Sequence, residues 1–212
     1  MVALILMVCV AQLSVSDTLW TEEAEGYQIE VFFPVIALEN EYVGNTLQEY
    51  ALEQVESFKE QFNNHYASEP VTMEWALDLR FVHVPSPDGL ACIVVWYWAY
   101  TGGAHGNSTT QSINFNLLDS SLISILELLG GEMEFELFAS SVLARLKEIG
   151  VEGDWAERGA SADIQNYHTV FPVPSENGGI KGYTVLFPPY QVACYGAGIV
   201  EVFIPIQQVQ AE

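Results

Sequence analysis

Hydrophobic and polar positions alternate most cleanly over residues 72–84. Met73, Trp75, Leu77, Leu79, Phe81 and His83 fall on one side, and Glu74, Ala76, Asp78, Arg80 and Val82 on the other. That two-residue period predicts a half-buried strand. A shorter alternation of Tyr27, Ile29, Val31 and Phe33 predicts a strand over residues 27–36. Pro34 marks its edge or its end, because proline has no N–H to give to a ladder. Between these strands the period changes. Val43, Leu47, Tyr50, Ala51, Val55, Phe58 and Phe62 recur at three- and four-residue steps. They predict an amphipathic helix over residues 41–66, with Glu and Gln on its wet face and Asn40 as its cap.

The second half reads in the same way. Residues 90–99 are dense in β-branched and aromatic side chains, and Ile113, Phe115 and Leu117 alternate with Ser112, Asn114 and Asn116. With the turn at residues 85–89 they predict an antiparallel meander of three strands. Asp119 opens a short helical stretch to Leu129, which Gly130 and Gly131 break. A helix over residues 133–149 follows, striped by Phe135, Phe138, Val142, Leu146 and Ile149. Residues 154–166 are weakly patterned and read as a loop with a helical turn. Strands are predicted at 167–173, 180–187 and 199–206. The order β-α-β-β-β-α-α-β-β-β implies an α+β fold with helices packed on antiparallel sheet.

Composition adds charge to this picture. Half of the 212 residues are apolar and only 16% are charged, so the chain can bury a core. Six Lys and Arg stand against 28 Asp and Glu, a net charge of −22. Such a surface repels nucleic acid and anionic lipid and attracts cationic partners. The same acidity also serves solubility or a salty habitat. Residues 1–16 form an apolar run too short to span a bilayer and fit the core of a signal peptide cut near Asp17. No Lys or Arg precedes that run. The implied location is extracytoplasmic, periplasmic or secreted. Lipid anchoring through Cys9 ranks second, because Val8 is bulky for the position before a lipidated cysteine. Beyond Ser16 the cysteines are Cys92 and Cys194. They are either a disulfide or two buried thiols.

Candidate chemistry gathers in two loops. The first is Tyr100-Thr101-Gly102-Gly103-Ala104-His105-Gly106, where His105 is the one sizeable side chain among glycines. It is either a hairpin turn or a rigid loop that presents a contact. The second is the Pro- and Gly-rich connection over residues 188–198, where Tyr190 and Tyr195 offer large contact area at low entropy cost. Gly102, Gly103, His105, Pro189, Tyr190 and Tyr195 are therefore the expected ligand-binding residues. Trp96 and Trp98 point opposite to Tyr97 on their strand, with core packing expected for one face and a glycan platform as the other reading. No GxSxG, HExxH, Walker or dinucleotide pattern occurs. Among 28 acids a carboxylate pair carries no information. No catalytic residue, metal or cofactor is expected.

Two stretches together resemble a known family. One is the glycine loop followed by Asn114-Phe115-Asn116-Leu117 and a Leu-rich turn. The other is Phe187-Pro188-Pro189-Tyr190-Gln191-Val192-Ala193-Cys194-Tyr195-Gly196-Ala197-Gly198 and the strand after it. Both look like the extracytoplasmic domain of unknown function shared by the lysozyme-sensing anti-sigma factor RsiV and the peptidoglycan deacetylase PdaC. Residues 27–66 resemble the part that commonly precedes it in PdaC-type proteins. The resemblance implies a PdaC-type part over 17–88 and an RsiV-like part over 89–212, sharing one core. It implies a non-enzymatic domain that binds a cationic wall-active protein such as lysozyme, or another envelope component. A peptidoglycan-binding or peptidoglycan-processing accessory module, and a structural envelope protein, are the alternatives. Gln191 and Cys194 depart from the Glu and Pro usual in the family, which bears on fine specificity.

Overall fold

A computed structural model describes residues 18–67 and 70–209. The proposed signal sequence and Cys9 lie outside the described residues. Among the described residues, nine strands and five helices form two sheets with their helices. The first sheet has six strands in sequential order: β1 (Leu19–Ala24), β2 (Tyr27–Phe32), β3 (Trp75–Val84), β4 (Leu90–Tyr100), β5 (Asn107–Asn116) and β6 (Ser121–Ile123). All of its pairings are antiparallel except β2 with β3. That parallel pair is joined by α1 (Val35–Glu39) and α2 (Glu41–His65), the crossover that a parallel connection needs.

The long helix forms where its period predicts. Asn40 caps it through its side-chain oxygen, which accepts from the Val43 N–H at 3.1 Å. Val43, Leu47, Ala51, Val55, Phe58 and Phe62 are all buried against Ile29, Val31, Leu77, Leu79, Phe81, Ile93 and Phe115. Of the outer positions on the β3 stripe, Met73 and His83 are exposed, because the stripe outruns the helix that covers it. β2 stops at Phe32, and Pro34 opens the short α1 instead of extending the strand. β1 was not expected. Its Thr21, Glu22 and Glu23 carry no apolar alternation, and the strand is held at the sheet edge by backbone pairing to β2. An ion pair of 2.6 Å between Glu22 and Lys59 ties it to α2.

The second sheet is β7 (Val170–Pro174), β8 (Ile180–Phe187) and β9 (Val200–Pro205). It is covered by α3 (Ile125–Leu129) and α4 (Glu132–Glu148). Phe135, Phe138, Val142 and Leu146 bury their stripe against Tyr167, Val170, Tyr183, Val185, Phe187, Val202 and Ile204. The buried residues thus make two clusters, one on each sheet. The 88/89 position lies in the β3–β4 turn, inside the six-stranded sheet.

A polar seam joins the two sheets. The Ser112 N–H donates to the His168 carbonyl at 2.9 Å. The Ser112 hydroxyl donates to the Val170 carbonyl at 2.7 Å and accepts from its N–H at 3.0 Å. The hydroxyls of Thr110 and Thr169 share a bond of 2.8 Å, and the Asn114 amide reaches the Val170 carbonyl at 3.1 Å. This seam fixes the loops at the ends of β4 and β8 relative to each other.

Candidate functional site

Each loop is shaped by its own sequence before the two meet. At the end of β4, Gly102 and Gly103 take φ of 98° and 100°, which only glycine adopts without cost. The Tyr100 hydroxyl donates to the Gly103 carbonyl at 3.1 Å and closes the loop. Gly106 is buried under the Trp98 indole, and a Cβ there would collide with the ring. His105 stands exposed beside it, its Nδ1 donating to the Gly106 carbonyl at 2.9 Å.

After β8, Pro188 and Pro189 stiffen the chain and sit half-buried. Tyr190 follows with φ of 72°, an uncommon backbone angle for a residue with a Cβ. Local bonds hold it there. Its N–H donates to the Ala193 carbonyl at 3.0 Å, and the Gln191 N–H to the Pro188 carbonyl at 3.2 Å. The Gln191 side chain donates to the carbonyls of Gly159 at 2.8 Å and Asn166 at 2.6 Å. Val192 is sealed in the second core. The loop is therefore anchored at two consecutive residues while Tyr190 is left 48% exposed.

The two loops meet through aromatic rings. His105 stacks on Tyr195 with centroids 4.1 Å apart and planes 22° apart. Tyr195 leans on Tyr190 at 5.5 Å, and its hydroxyl reaches the Gly106 carbonyl at 3.4 Å. Tyr190 in turn lies 6.4 Å from Trp155, their planes 20° apart. The Trp155 indole N–H donates to the Tyr190 carbonyl at 2.6 Å. His105, Tyr195, Tyr190 and Trp155 thus form one aromatic row drawn from three separate segments.

Five of the six expected residues fall within or directly beside this row: His105, Tyr190 and Tyr195 as rings, Gly103 closing its loop, and Pro189 setting the approach to Tyr190. Gly102 shapes the loop and faces the Met73 sulfur. Trp155 escaped sequence reading. It sits on α5 (Asp154–Gly159), in the stretch read as a loop with a helical turn. The usable signal was a lone tryptophan flanked by Asp154 and Glu157 in an otherwise polar segment. Trp96 is half-buried and Trp98 is 39% exposed, while Tyr97 packs against the first core.

The cysteines do not pair. Cys92 is fully buried near the start of β4 and Cys194 is exposed on the 188–198 loop, each a free thiol. Burial pushes the Cys92 thiol up to about 12, against a weaker opposing effect of a hydrogen bond with Ser86. Among the described residues no cluster of three or more His, Cys, Asp or Glu is placed to hold a metal ion. No helix among them is long and apolar enough to cross a membrane.

The loops themselves carry no carboxylate. Exposed acids stand nearby at Asp154 and Glu157, and a row of Glu49, Glu53, Glu56 and Glu60 lines the outer side of α2. Of the six Lys and Arg residues, Lys59, Arg80 and Arg145 are already ion-paired with Glu22, Asp78 and Glu148. A groove of about 550 Å³ lies between α4 and β9, away from the loops, lined by Ser141, Arg145, Glu148, Phe203 and Gln208.

Two solved structures share the fold of this chain across most of their length. A DUF3298 family member from Bacteroides fragilis aligns with a TM-score of 0.55 and 18% identity, over 89% of this chain and 88% of its own. A DUF3298 family protein from Pseudomonas aeruginosa aligns with a TM-score of 0.52 and 21% identity, over 91% and 93%. The fold is the DUF3298 fold. No family model matches the sequence, and no curated protein matches it. In this DUF3298-like frame the aromatic row occupies the loops at the ends of β4 and β8, with α5 beside them.

Proposed function

We infer that this chain is an exported, non-enzymatic binding module whose partner is a cationic wall-active protein of the lysozyme kind. The observation that carries the reading is the convergence of the two loops on one partly exposed row of rings. A rigid, partly exposed aromatic surface is the usual anchor of a protein contact. The −22 charge steers a cationic partner toward the molecule and raises the encounter rate, while the neutral loops supply selectivity. The resemblance to the domain shared by RsiV and PdaC supports this choice of partner. Export rests on residues 1–16.

A second reading has its own support. The faces of Tyr190 and Trp155 are nearly parallel and exposed, as a platform for sugar rings would be. Peptidoglycan is the glycan this reading names.

Calorimetry with a chicken-type lysozyme at low and physiological salt tests the first reading, with an unrelated protein of similar positive charge as control. Selective one-to-one binding that survives salt is expected, and Tyr190→Ala should weaken it at least ten-fold, as for an interface anchor. Binding of both proteins that vanishes with salt would reduce the charge to background and move peptidoglycan to the front.

A further inference from the structure

We propose that the face formed by Tyr190 and Trp155 receives arginine side chains of the partner, each guanidinium lying flat on a ring, so that the site selects arginine over lysine. This rests on the binding reading above and names the chemistry of its contact.

The geometry of the pair carries the argument. His105 and Tyr195 are 4.1 Å apart and cover one another. Tyr190 and Trp155 are as nearly parallel but 6.4 Å apart, beyond close face-to-face contact, and Tyr195 leans on Tyr190 from 5.5 Å. Both rings keep exposed surface, at 48% and 41%. The Trp155 N–H is committed to the Tyr190 carbonyl at 2.6 Å, so the indole has no donor left to offer. Flat π-faces and the Tyr190 hydroxyl are what remain for a ligand.

Charge then decides which flat group fits. Asp154 and Glu157 stand exposed on either side of Trp155 in the sequence of α5, against one exposed cation there, Arg158, within a molecule of charge −22. That balance favours a flat group that is also cationic. A guanidinium is planar, weakly hydrated and always charged, whereas an ammonium is compact and strongly hydrated. The chain makes this very contact internally: the Arg80 guanidinium lies 4.4 Å over the Phe32 ring while paired with Asp78 at 2.6 Å.

The test compares hexa-arginine with hexa-lysine, peptides of equal length and charge, by calorimetry on the full chain at physiological salt. Hexa-arginine should bind about five-fold tighter, the order expected of stacked guanidinium groups. Tyr190→Ala and Trp155→Leu should each bring the ratio close to one, while a residual salt-sensitive binding of both peptides persists. Circular dichroism melting checks each variant, and Tyr190→Leu, which keeps bulk without a π-face, replaces one that unfolds. Equal binding of the two peptides, or a preference that survives both substitutions, overturns the proposal. So does binding of an N-acetylglucosamine oligomer that is lost in these variants without any arginine preference. Selective lysozyme binding without that preference would sink this proposal alone; loss of lysozyme binding as well would sink both readings.

Discussion

Gly106 links the sequence of the glycine loop to the position of its neighbours. Its φ is not the reason for glycine; the reason is the Trp98 indole, which lies where a Cβ would stand. Gly106→Ala must push the indole outward and disturb the carbonyl that His105 and Tyr195 both use. Overpacking of this kind costs about 1–3 kcal/mol. The expected result is a lower midpoint in urea unfolding and a shifted tryptophan emission; an unchanged midpoint would mean that Trp98 swings aside freely. Tyr190 illustrates the opposite relation. Its positive φ is imposed by the bonds of the loop around it, as strained residues at contact sites often are. Nothing in the pair Pro189-Tyr190 announces that angle, since it depends on where Gln191 and Val192 are anchored.

Among the elements, α2 was fully legible and the 188–198 loop only partly so. The helix has a repeat of seven buried positions and a capping side chain, both local properties of its own sequence. The loop is held by carbonyls of Gly159 and Asn166, which belong to other segments. Two substitutions separate these cases. Asn40→Ala removes the cap and should lower global stability by about 1 kcal/mol, read as a shifted urea midpoint. Gln191→Ala leaves two carbonyls without their donor, a local cost of about 1–3 kcal/mol. Hydrogen exchange should then quicken over residues 188–198 while protection in α2 stays unchanged. Faster exchange throughout would show that the loop is part of the global folding unit. β1 went unread, and residues 121–123, expected to be helical, pair as β6 instead, because edge strands with charged or short sequences are held by backbone pairing, which side-chain pattern does not report.

At the scale of the molecule, two clusters of buried side chains meet along a seam of Ser, Thr and Asn. Two of the groups buried around them titrate. Burial holds the Cys92 thiol up near 12, from an ordinary 9.0, and raises the fully buried Tyr167 hydroxyl above the tyrosine range. A raised folded pKa leaves stability intact below the unfolded value. It is lost as pH climbs from about 9 toward 12, because the unfolded chain sheds protons that the native state keeps. Each such group contributes a slope of about 1.4 kcal/mol per pH unit in that window. Resistance to urea unfolding should therefore fall progressively above pH 9, first through Cys92 and then through Tyr167. A flat profile from neutrality to strongly alkaline pH would show that these groups are hydrated in the native state.

The sequence by itself determined the periodic elements, the α+β class, the acidic charge and the two glycine- and proline-rich loops. It did so because hydrophobic period, capping and glycine content are local quantities. It did not determine that the cysteines stay apart, that a strand forms from charged residues at the edge, or that Trp155 completes the aromatic row. Those depend on which segments lie side by side: β2 beside β1 for the edge strand, and the seam from Ser112 to Val170 for the meeting of the two sheets. His105 and Tyr195 are 90 positions apart in the chain and 4.1 Å apart as rings, and only the packing of one sheet against the other brings them together.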